Sequence, residues 1–320
     1  MKEKNGSILF LEPVFTHNVW GGSKLREVFH YPVEGDDIGE CWGVAAHGNG
    51  NCKIKSGPFA GKTLMELWES HRELFGNVPG DKFPLLVKII DAKADLSIQV
   101  HPDDTYAAEH ENGSLGKMEC WYILDCPKDA SLVIGHNAGT RAELADMVEK
   151  GRWSALIREV PVKKGDFIQI DPGTVHAIKG GITILETQQN SDITYRVYDY
   201  GRLSGGRPRE LHIAQSLDVI TVPAKPLSDS LIAVDTHREN EPVRLIACRY
   251  YQVFSLRVEG KAEIAQSWPF LIMSVTEGKG AIDGASIEKG DHFIVPAGYG
   301  DMELTGDMQI IASTVAGRES

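Results

Sequence analysis

The chain has no apolar run of the roughly 18 residues that a membrane-spanning helix needs, so a helical membrane protein is not expected. Its first residues, Met-Lys-Glu-Lys-Asn-Gly-Ser, lack the apolar core of a secretory leader, which makes the cytoplasm the expected compartment. It has no Cys-x-x-Cys pair. The five cysteines, Cys41, Cys52, Cys120, Cys126 and Cys248, are odd in number and scattered, which suits free thiols in a reducing compartment and excludes a zinc-thiolate cluster. Positive charge is scarce: 33 Lys and Arg stand against 45 Asp and Glu, a formal net charge of -12. Neither nucleic acid nor an anionic membrane surface is therefore an expected partner, and a phosphate ester would need a local basic pocket. Gly-x-Gly-x-x-Gly and Walker loops are missing too, against a nucleotide-binding parallel sheet. A metal ion would have to rely on His, carboxylate and amide ligands.

What is present is enough for a packed core: 320 residues, 42% of them hydrophobic, in one large domain or two ordinary ones. Two helices are signalled by capping boxes. Thr63-Leu-Met-Glu66 opens a helix over 64–75 that Gly76 closes, and Thr140-Arg-Ala-Glu143 opens one that Gly151 closes. A weaker helical pattern covers 209–219. Elsewhere short strands alternate with Gly, Pro and Asp. They are expected at 85–90, 96–101, 120–124, 167–170, 182–187 and 193–198, then at 251–258, 270–275, 292–295 and 308–312. Many strands with few helices argue for an antiparallel sandwich or barrel. The segment 221–230, with Pro223 and Pro226, reads as a linker between units over 1–235 and 236–320.

Little of this carries chemistry. In Ser97-Ile-Gln-Val-His-Pro-Asp-Asp104, strand alternation places Gln99 and His101 on one face and Ile98 and Val100 on the other, the core side. With Glu119 downstream, these side chains are either ligands of one metal ion or simply a strand end running into a polar turn. Residues alone leave both readings open.

An internal repeat adds a second half. Lys164-Gly-Asp-Phe-Ile-Gln-Ile-Asp-Pro-Gly-Thr-Val-His176 aligns without a gap on Lys289-Gly-Asp-His-Phe-Ile-Val-Pro-Ala-Gly-Tyr-Gly-Asp301. Each has a Gly-Asp turn, an apolar strand, and a Pro and Gly that end it; the first copy finishes on His176 and the second on Asp301. Both copies resemble the second motif of the cupin family of small β-barrels. Gln99-Val-His101 with Glu119 resembles the first motif, with Gln where a His is usual. The resemblance implies a mainly β fold of two cupin-type jelly-roll barrels with a few added helices, the second barrel without metal ligands.

A closer resemblance is to the type I mannose-6-phosphate isomerases, in their short bacterial form. It is carried by Phe83-Pro-Leu-Leu-Val-Lys88, Leu96 to Asp104, Gly116-Lys-Met-Glu-Cys-Trp-Tyr122, Pro172-Gly-Thr-Val-His176 and Thr194-Tyr-Arg-Val-Tyr-Asp-Tyr200, and covers residues 10 to 220 in order and spacing. Met118 departs from the residue often found at its position. The resemblance implies zinc-dependent interconversion of mannose 6-phosphate and fructose 6-phosphate through a cis-enediol. It implies one Zn2+ held by His101, Glu119 and His176 with Gln99 as a weaker fourth ligand, though the same donors suit iron, manganese or cobalt. Arg196 and Lys117 are the expected catalytic residues, and Lys88 and Arg202 the expected contacts to the phosphorylated hexose. The group that takes the proton stays open among a metal-bound hydroxide, Lys117 and an acid such as Asp103. The expected assembly is a monomer or homodimer, with the C-terminal barrel as a cap or dimer surface. Two other classes are a non-catalytic phosphosugar-binding cupin and an iron-dependent cupin oxygenase; the latter normally prefers a second His where Gln99 stands.

Overall fold

The structure, a computed structural model, describes residues 6–233 and 238–316. Apolar residues alternating between Gly-, Pro- and Asp-rich turns produce antiparallel strands almost throughout, so the molecule is mainly β. A seven-stranded sheet runs in the order Leu231–Ile232, Phe167–Ile170, Glu119–Asp125, Thr183–Gln189, Leu85–Asp91, Ile38–Val44, Val14–Gly22. A five-stranded sheet, Ile157–Pro161, Ser131–His136, His176–Ala177, Ile98–Val100, Tyr195–Tyr198, is its partner. Between them lies a layer in which Trp121, Ile168 and Ile184 meet Leu132, Ile134 and Val160.

The outer face of the five-stranded sheet is covered by helices. Ile98, Val100, Val133 and Ala177 pack there against Leu144, Met147 and Val148 of helix Arg141–Glu149, and against Ile220 beyond helix Ile213–Val219. Ile98 and Val100 thus face the helix layer, and alternation turns Gln99 the other way, into the barrel. Among the described residues, no helix is long and apolar enough to cross a membrane.

The second unit is an eight-stranded sheet dominated by two strands of 16 residues, Tyr251–Gln266 and Gly300–Val315, paired along their whole length. Sequence reading ends the first at Val258 and starts the second only at Met308, short of Gly260 and Gly306. Here they are a bend. Gly260 pairs with Gly306, which pairs with Gly280, and a Cβ on Gly280 would sit 2.0 Å from the Thr305 carbonyl oxygen. This glycine row lets three strands bend together without losing register. The chain's first strand, Leu9–Glu12, pairs with His292–Val295 and so belongs to this C-terminal sheet. A common core also joins the units, with Leu9, Trp68, Phe75 and Phe83 packed with Tyr251, Phe270 and Ile311. The 235/236 boundary itself falls outside the described residues.

The capping boxes act as their chemistry dictates. Thr63 Oγ1 accepts from the Glu66 amide, and Glu66 Oε2 accepts from the Thr63 amide at 2.7 Å. The helix, however, is α only over Leu64–Ser70 and continues as a 3-10 turn, Arg72–Phe75, up to Gly76 at φ 63°. The break at His71 goes with a ring contact to Phe59 and lets Phe75 bury against Trp68, Phe83 and Phe270. Thr140 caps Arg141–Glu149 likewise, but Glu143 returns its bond to the Gly139 amide. The 209–219 helix shortens to Ile213–Val219, and helix Asp104–His110, read from sequence as a turn, is capped by Asp103. The segment 221–230 is hydrogen-bonded into the first unit, the Thr221 amide to Gly173 and the Gln169 amide to Ser230, with a 3-10 turn at Leu227–Asp229, and Leu231–Ile232 just after it adds an edge strand beside Phe167–Ile170.

Candidate metal centre and cavity

Strand register gathers the four proposed ligands. Gln99 lies opposite His176, and Ile170, six residues before His176, lies opposite Glu119. His101, Glu119 and His176 each offer one ligand atom, and these atoms all lie within 4.8 Å of one another. His101 Nε2 is 3.5 Å from Glu119 Oε2, and His176 Nε2 is 3.4 Å from Glu119 Oε1. Each imidazole gives its Nδ1 proton to a backbone carbonyl, His101 to Ile193 at 2.8 Å and His176 to Thr174 at 2.9 Å. A carbonyl can only accept, so both Nε2 lone pairs are left pointing at the carboxylate.

Burial fixes the charge states of these rings. Desolvation, then the positive charge of Lys117, holds His101 well below its ordinary value, and desolvation lowers His176 to about 4. Both are neutral ligands at pH 7. Glu119 is fully buried, and its Oε2 is paired with the Lys117 ammonium at 2.6 Å. Lys117 Nζ and Gln99 Nε2 also stand 3.2 Å from the Nε2 atoms of His101 and His176, yet two neutral imidazoles and a carboxylate that converge within 4.8 Å make the donor set of one metal ion. A divalent cation satisfies all three at once, so the donor set fits a metal. Gln99 lies beside the cluster, its side-chain amide nitrogen 3.2 Å from His176 Nε2.

Above this cluster opens a cavity of about 170 Å³. It is lined by Gln99, Lys117, Lys88, Glu40, Glu186, Arg196 and Arg209, and Arg196 lies opposite Gln99 in the five-stranded sheet. Lys88 Nζ is 3.7 Å from Glu40 and 3.8 Å from Glu186, and stands 4.7 Å from the centre of the Trp42 ring. Lys117 is buried, which disfavours its charge, but Glu119 and Glu186 outweigh this and push its affinity for a proton above the ordinary range. Burial, reinforced by the negative charge of Glu119, raises Glu186 to about 7. One Glu186 oxygen accepts from Trp121 Nε1 at 3.0 Å; the other has no hydrogen-bond partner.

Sequence reading missed Glu186 and Arg209. Glu186 had little signal, because its strand Thr183–Gln189 is fully buried yet polar in sequence; it lies opposite Lys88, a lone cation among the apolar residues of Leu85–Asp91. Arg209 had none, because it lies in the loop before helix Ile213–Val219 and reaches back to Asp199 at 2.5 Å. Arg202 also holds Asp199 at 2.5 Å and is not among the residues lining the cavity, whereas Lys88, Lys117 and Arg196 are. Asp103 is occupied as a helix cap and lies outside the cavity lining too. Cys120 Sγ turns towards the Thr187 carbonyl.

Comparison with known proteins decides the family. Residues 8–122 match the type I phosphomannose isomerase catalytic domain, and residues 243–315 match the mannose-6-phosphate isomerase cupin domain. The chain is 49% identical over 313 residues to mannose-6-phosphate isomerase ManA of Bacillus subtilis, covering 95% of this chain and 98% of that one. It belongs to the type I mannose-6-phosphate isomerase family, a family of enzymes. To a mannose-6-phosphate isomerase of Streptococcus mutans it is 43% identical over 310 residues, covering 95% of this chain and 97% of that one. A crystal structure of the mannose 6-phosphate isomerase from Bacillus subtilis superposes with a TM-score of 0.90 at 45% identity, covering 97% of this chain and all of that one. The cupin build inferred from the Lys164 and Lys289 repeat is therefore the fold of this family.

Proposed function

We propose that the chain interconverts D-mannose 6-phosphate and D-fructose 6-phosphate, with one Zn2+ per chain held by His101, Glu119, His176 and Gln99. The observation that carries this reading is the convergence of two buried, neutral imidazoles on the Glu119 carboxylate, beside a cavity lined by Lys88, Lys117, Arg196 and Arg209. A bound divalent ion would supply Lewis-acid stabilisation of the oxygens on sugar carbons 1 and 2.

The chain's own residues account for the rest. Arg196 and Arg209 take the phosphate: among the described residues Arg196 has no carboxylate within ion-pair distance, its Nη1 donates only to the Glu210 carbonyl and its Nε is buried without a hydrogen-bond partner, while Asp199 holds Arg209 in place beside it. The Glu186 carboxylate, poised near neutrality, takes the proton from carbon 2 of the aldose and returns it to carbon 1, leaving the cis-enediol in between. Lys117 and Lys88, ammonium groups 3.9 Å and 3.8 Å from Glu186, offset the negative charge that develops on the enediolate oxygens. Lys88 thus serves the reacting end of the cavity, while Arg202 steadies Asp199 and, through it, Arg209.

We further propose a catalytic unit over 1–235 and a smaller unit over 236–320 that borrows the first strand, in a monomer or homodimer. Five free cysteines support a reducing, cytoplasmic setting. The test is a coupled isomerase assay on metal-stripped and zinc-reloaded protein, with mannose 6-phosphate and glucose 6-phosphate as substrates. Turnover of the mannose ester alone, lost on stripping and regained on reloading, is expected. Zinc binding without turnover of either ester would instead favour a phosphosugar-binding protein.

A further inference from the structure

None of the residues lining the cavity comes from the C-terminal unit, yet that unit reaches the strand that carries Glu119. Tyr250 Oη donates to Asp104 Oδ2 at 2.7 Å. The other oxygen of Asp104 accepts from the Gly116 amide and from Gln189 Nε2, both at 2.9 Å. Gln189 in turn pairs with Met118 twice: its Oε1 accepts from the Met118 amide, and its own amide donates to the Met118 carbonyl, each at 3.0 Å. Gly116 is pressed so closely onto the first turn of helix Asp104–His110 that a Cβ would lie 2.4 Å from the Asp103 carbonyl carbon. The amide of Lys117 donates to Pro102, the residue after His101.

Residues 116 to 118 are thus clamped from two sides immediately before Glu119. Burial opposes the charge on Asp104, but the bonds from Tyr250, Gln189 and Gly116 outweigh it and keep the carboxyl below its ordinary value, a strong acceptor at neutral pH. The next residue makes a parallel contact: Tyr251 Oη donates at 3.1 Å to Gln169, on the strand that pairs with Glu119 through Ile170.

We infer that the C-terminal unit acts on the metal centre as a positioning element: Tyr250, through Asp104 and Gly116, sets the path of residues 116–118 and so the aim of Lys117 and Glu119. Tyr250 and Asp104 touch neither substrate nor metal. Their effect is on geometry, where a displacement of about 1 Å can cost a hundredfold in rate. The inference rests on the metal reading above and gives the second unit a role beyond that of a cap.

The experiment uses the full chain and zinc as the probe. Zinc affinity is read by competition with a chromophoric chelator, beside kcat, KM and the thermal midpoint, for Asp104→Ala, Asp104→Asn, Tyr250→Phe and Tyr299→Phe. Tyr299 is the control, because its hydroxyl bonds Asp283 at 2.8 Å within the C-terminal unit and outside the cavity lining. Asp104→Ala is expected to weaken zinc about tenfold and to lower kcat by a similar factor, with KM within about twofold of wild type. Tyr250→Phe should weaken zinc about threefold. Asp104→Asn should recover most of the loss, since its amide oxygen still accepts from Gly116 and Gln189. Tyr299→Phe should leave zinc affinity untouched even where the midpoint falls.

Wild-type zinc affinity in both Asp104→Ala and Tyr250→Phe overturns the inference, as does an equal loss in Tyr299→Phe. If Asp104→Ala does not fold, Tyr250→Phe decides. A wild-type chain that binds zinc but turns over no hexose phosphate refutes the isomerase reading alone, and the zinc affinities still decide this one. Absence of zinc binding by the wild type overturns both.

Discussion

The two copies of the Lys-Gly-Asp motif start from the same local geometry and end in opposite interiors. Gly165 and Gly290 have φ of 88° and 95°, and each turn feeds a four-residue strand, Phe167–Ile170 or His292–Val295. Register then gives residue-by-residue equivalence. Ile170 pairs with Glu119 where Val295 pairs with Leu271; Trp121 pairs with Glu186 where Met273 pairs with Ala312; Glu186 pairs with Lys88 where Ala312 pairs with Phe254. Glu119, Glu186 and Lys88 of the first barrel are thus Leu271, Ala312 and Phe254 in the second, all three buried in one apolar cluster. Asp301, in the place of His176, is exposed.

The lesson is energetic. The second barrel fills its interior with hydrocarbon, which stabilises it at roughly 25 cal/mol per Å² of apolar surface removed from water. The first buries charges that burial penalises, Glu119 and Lys117 among them, at a cost in stability that a site accounts for. One scaffold therefore divides into a part that stabilises and a part that reacts.

The most damaging test of that contrast makes the first barrel like the second. Glu119→Leu should abolish zinc binding and lower kcat/KM by about 10³-fold or more, the equivalent of several kcal/mol of transition-state stabilisation; isomerase kinetics with metal analysis measure both. Next in size, Glu186→Gln should reduce kcat by about 10²–10³-fold with KM little changed. Its pH dependence carries a sign. Glu186 is a carboxyl raised to about 7, so as pH falls through that value it takes up a proton and ceases to be a base. Wild-type kcat should therefore fall on an acid limb at or below pH 7, since a divalent ion bound at Glu119 would pull the limb lower. In Glu186→Gln that limb should vanish from the pH–rate profile.

Smaller again, Arg209→Met should raise KM for mannose 6-phosphate about tenfold in steady-state kinetics, the loss of a charge-assisted hydrogen bond worth about 1.5 kcal/mol. The smallest effect is expected in the sister copy. Asp301→His restores the motif's last residue, yet position 301 is exposed opposite Ala265, and Leu271 stands where the first barrel has Glu119. Metal titration should still end at one ion per chain, and the change in unfolding free energy should stay within about 0.5 kcal/mol.

How far these features were legible follows from the range of the forces behind them. Capping boxes and Gly-Asp turns act within a few residues, so Thr63, Thr140, Gly76 and Gly165 could be read directly. Alternation put Gln99 and His101 on one face and the repeat brought out His176, but their reading as ligands together with Glu119 came from the resemblance to the cupin motifs; the mainly β architecture followed from the spacing of turns. Lys88 was visible as a charge inside an apolar strand, but Glu186 lies in a polar-looking one, and only register shows that the two are paired. Arg209, the bent 16-residue strands and the Tyr250 to Asp104 contact depend on packing across more than 100 residues in the last case, and no local pattern records them.

The central claim is that one barrel is a metal centre and its sister is not. Anomalous diffraction from crystals of zinc-loaded protein, collected on both sides of the zinc absorption edge, tests it most directly. The account predicts a single strong peak per chain at bonding distance from His101 Nε2, His176 Nε2 and a Glu119 oxygen, and none within the 271–312 barrel. A peak elsewhere, or a fully active enzyme whose crystals show no metal at Glu119, would contradict it.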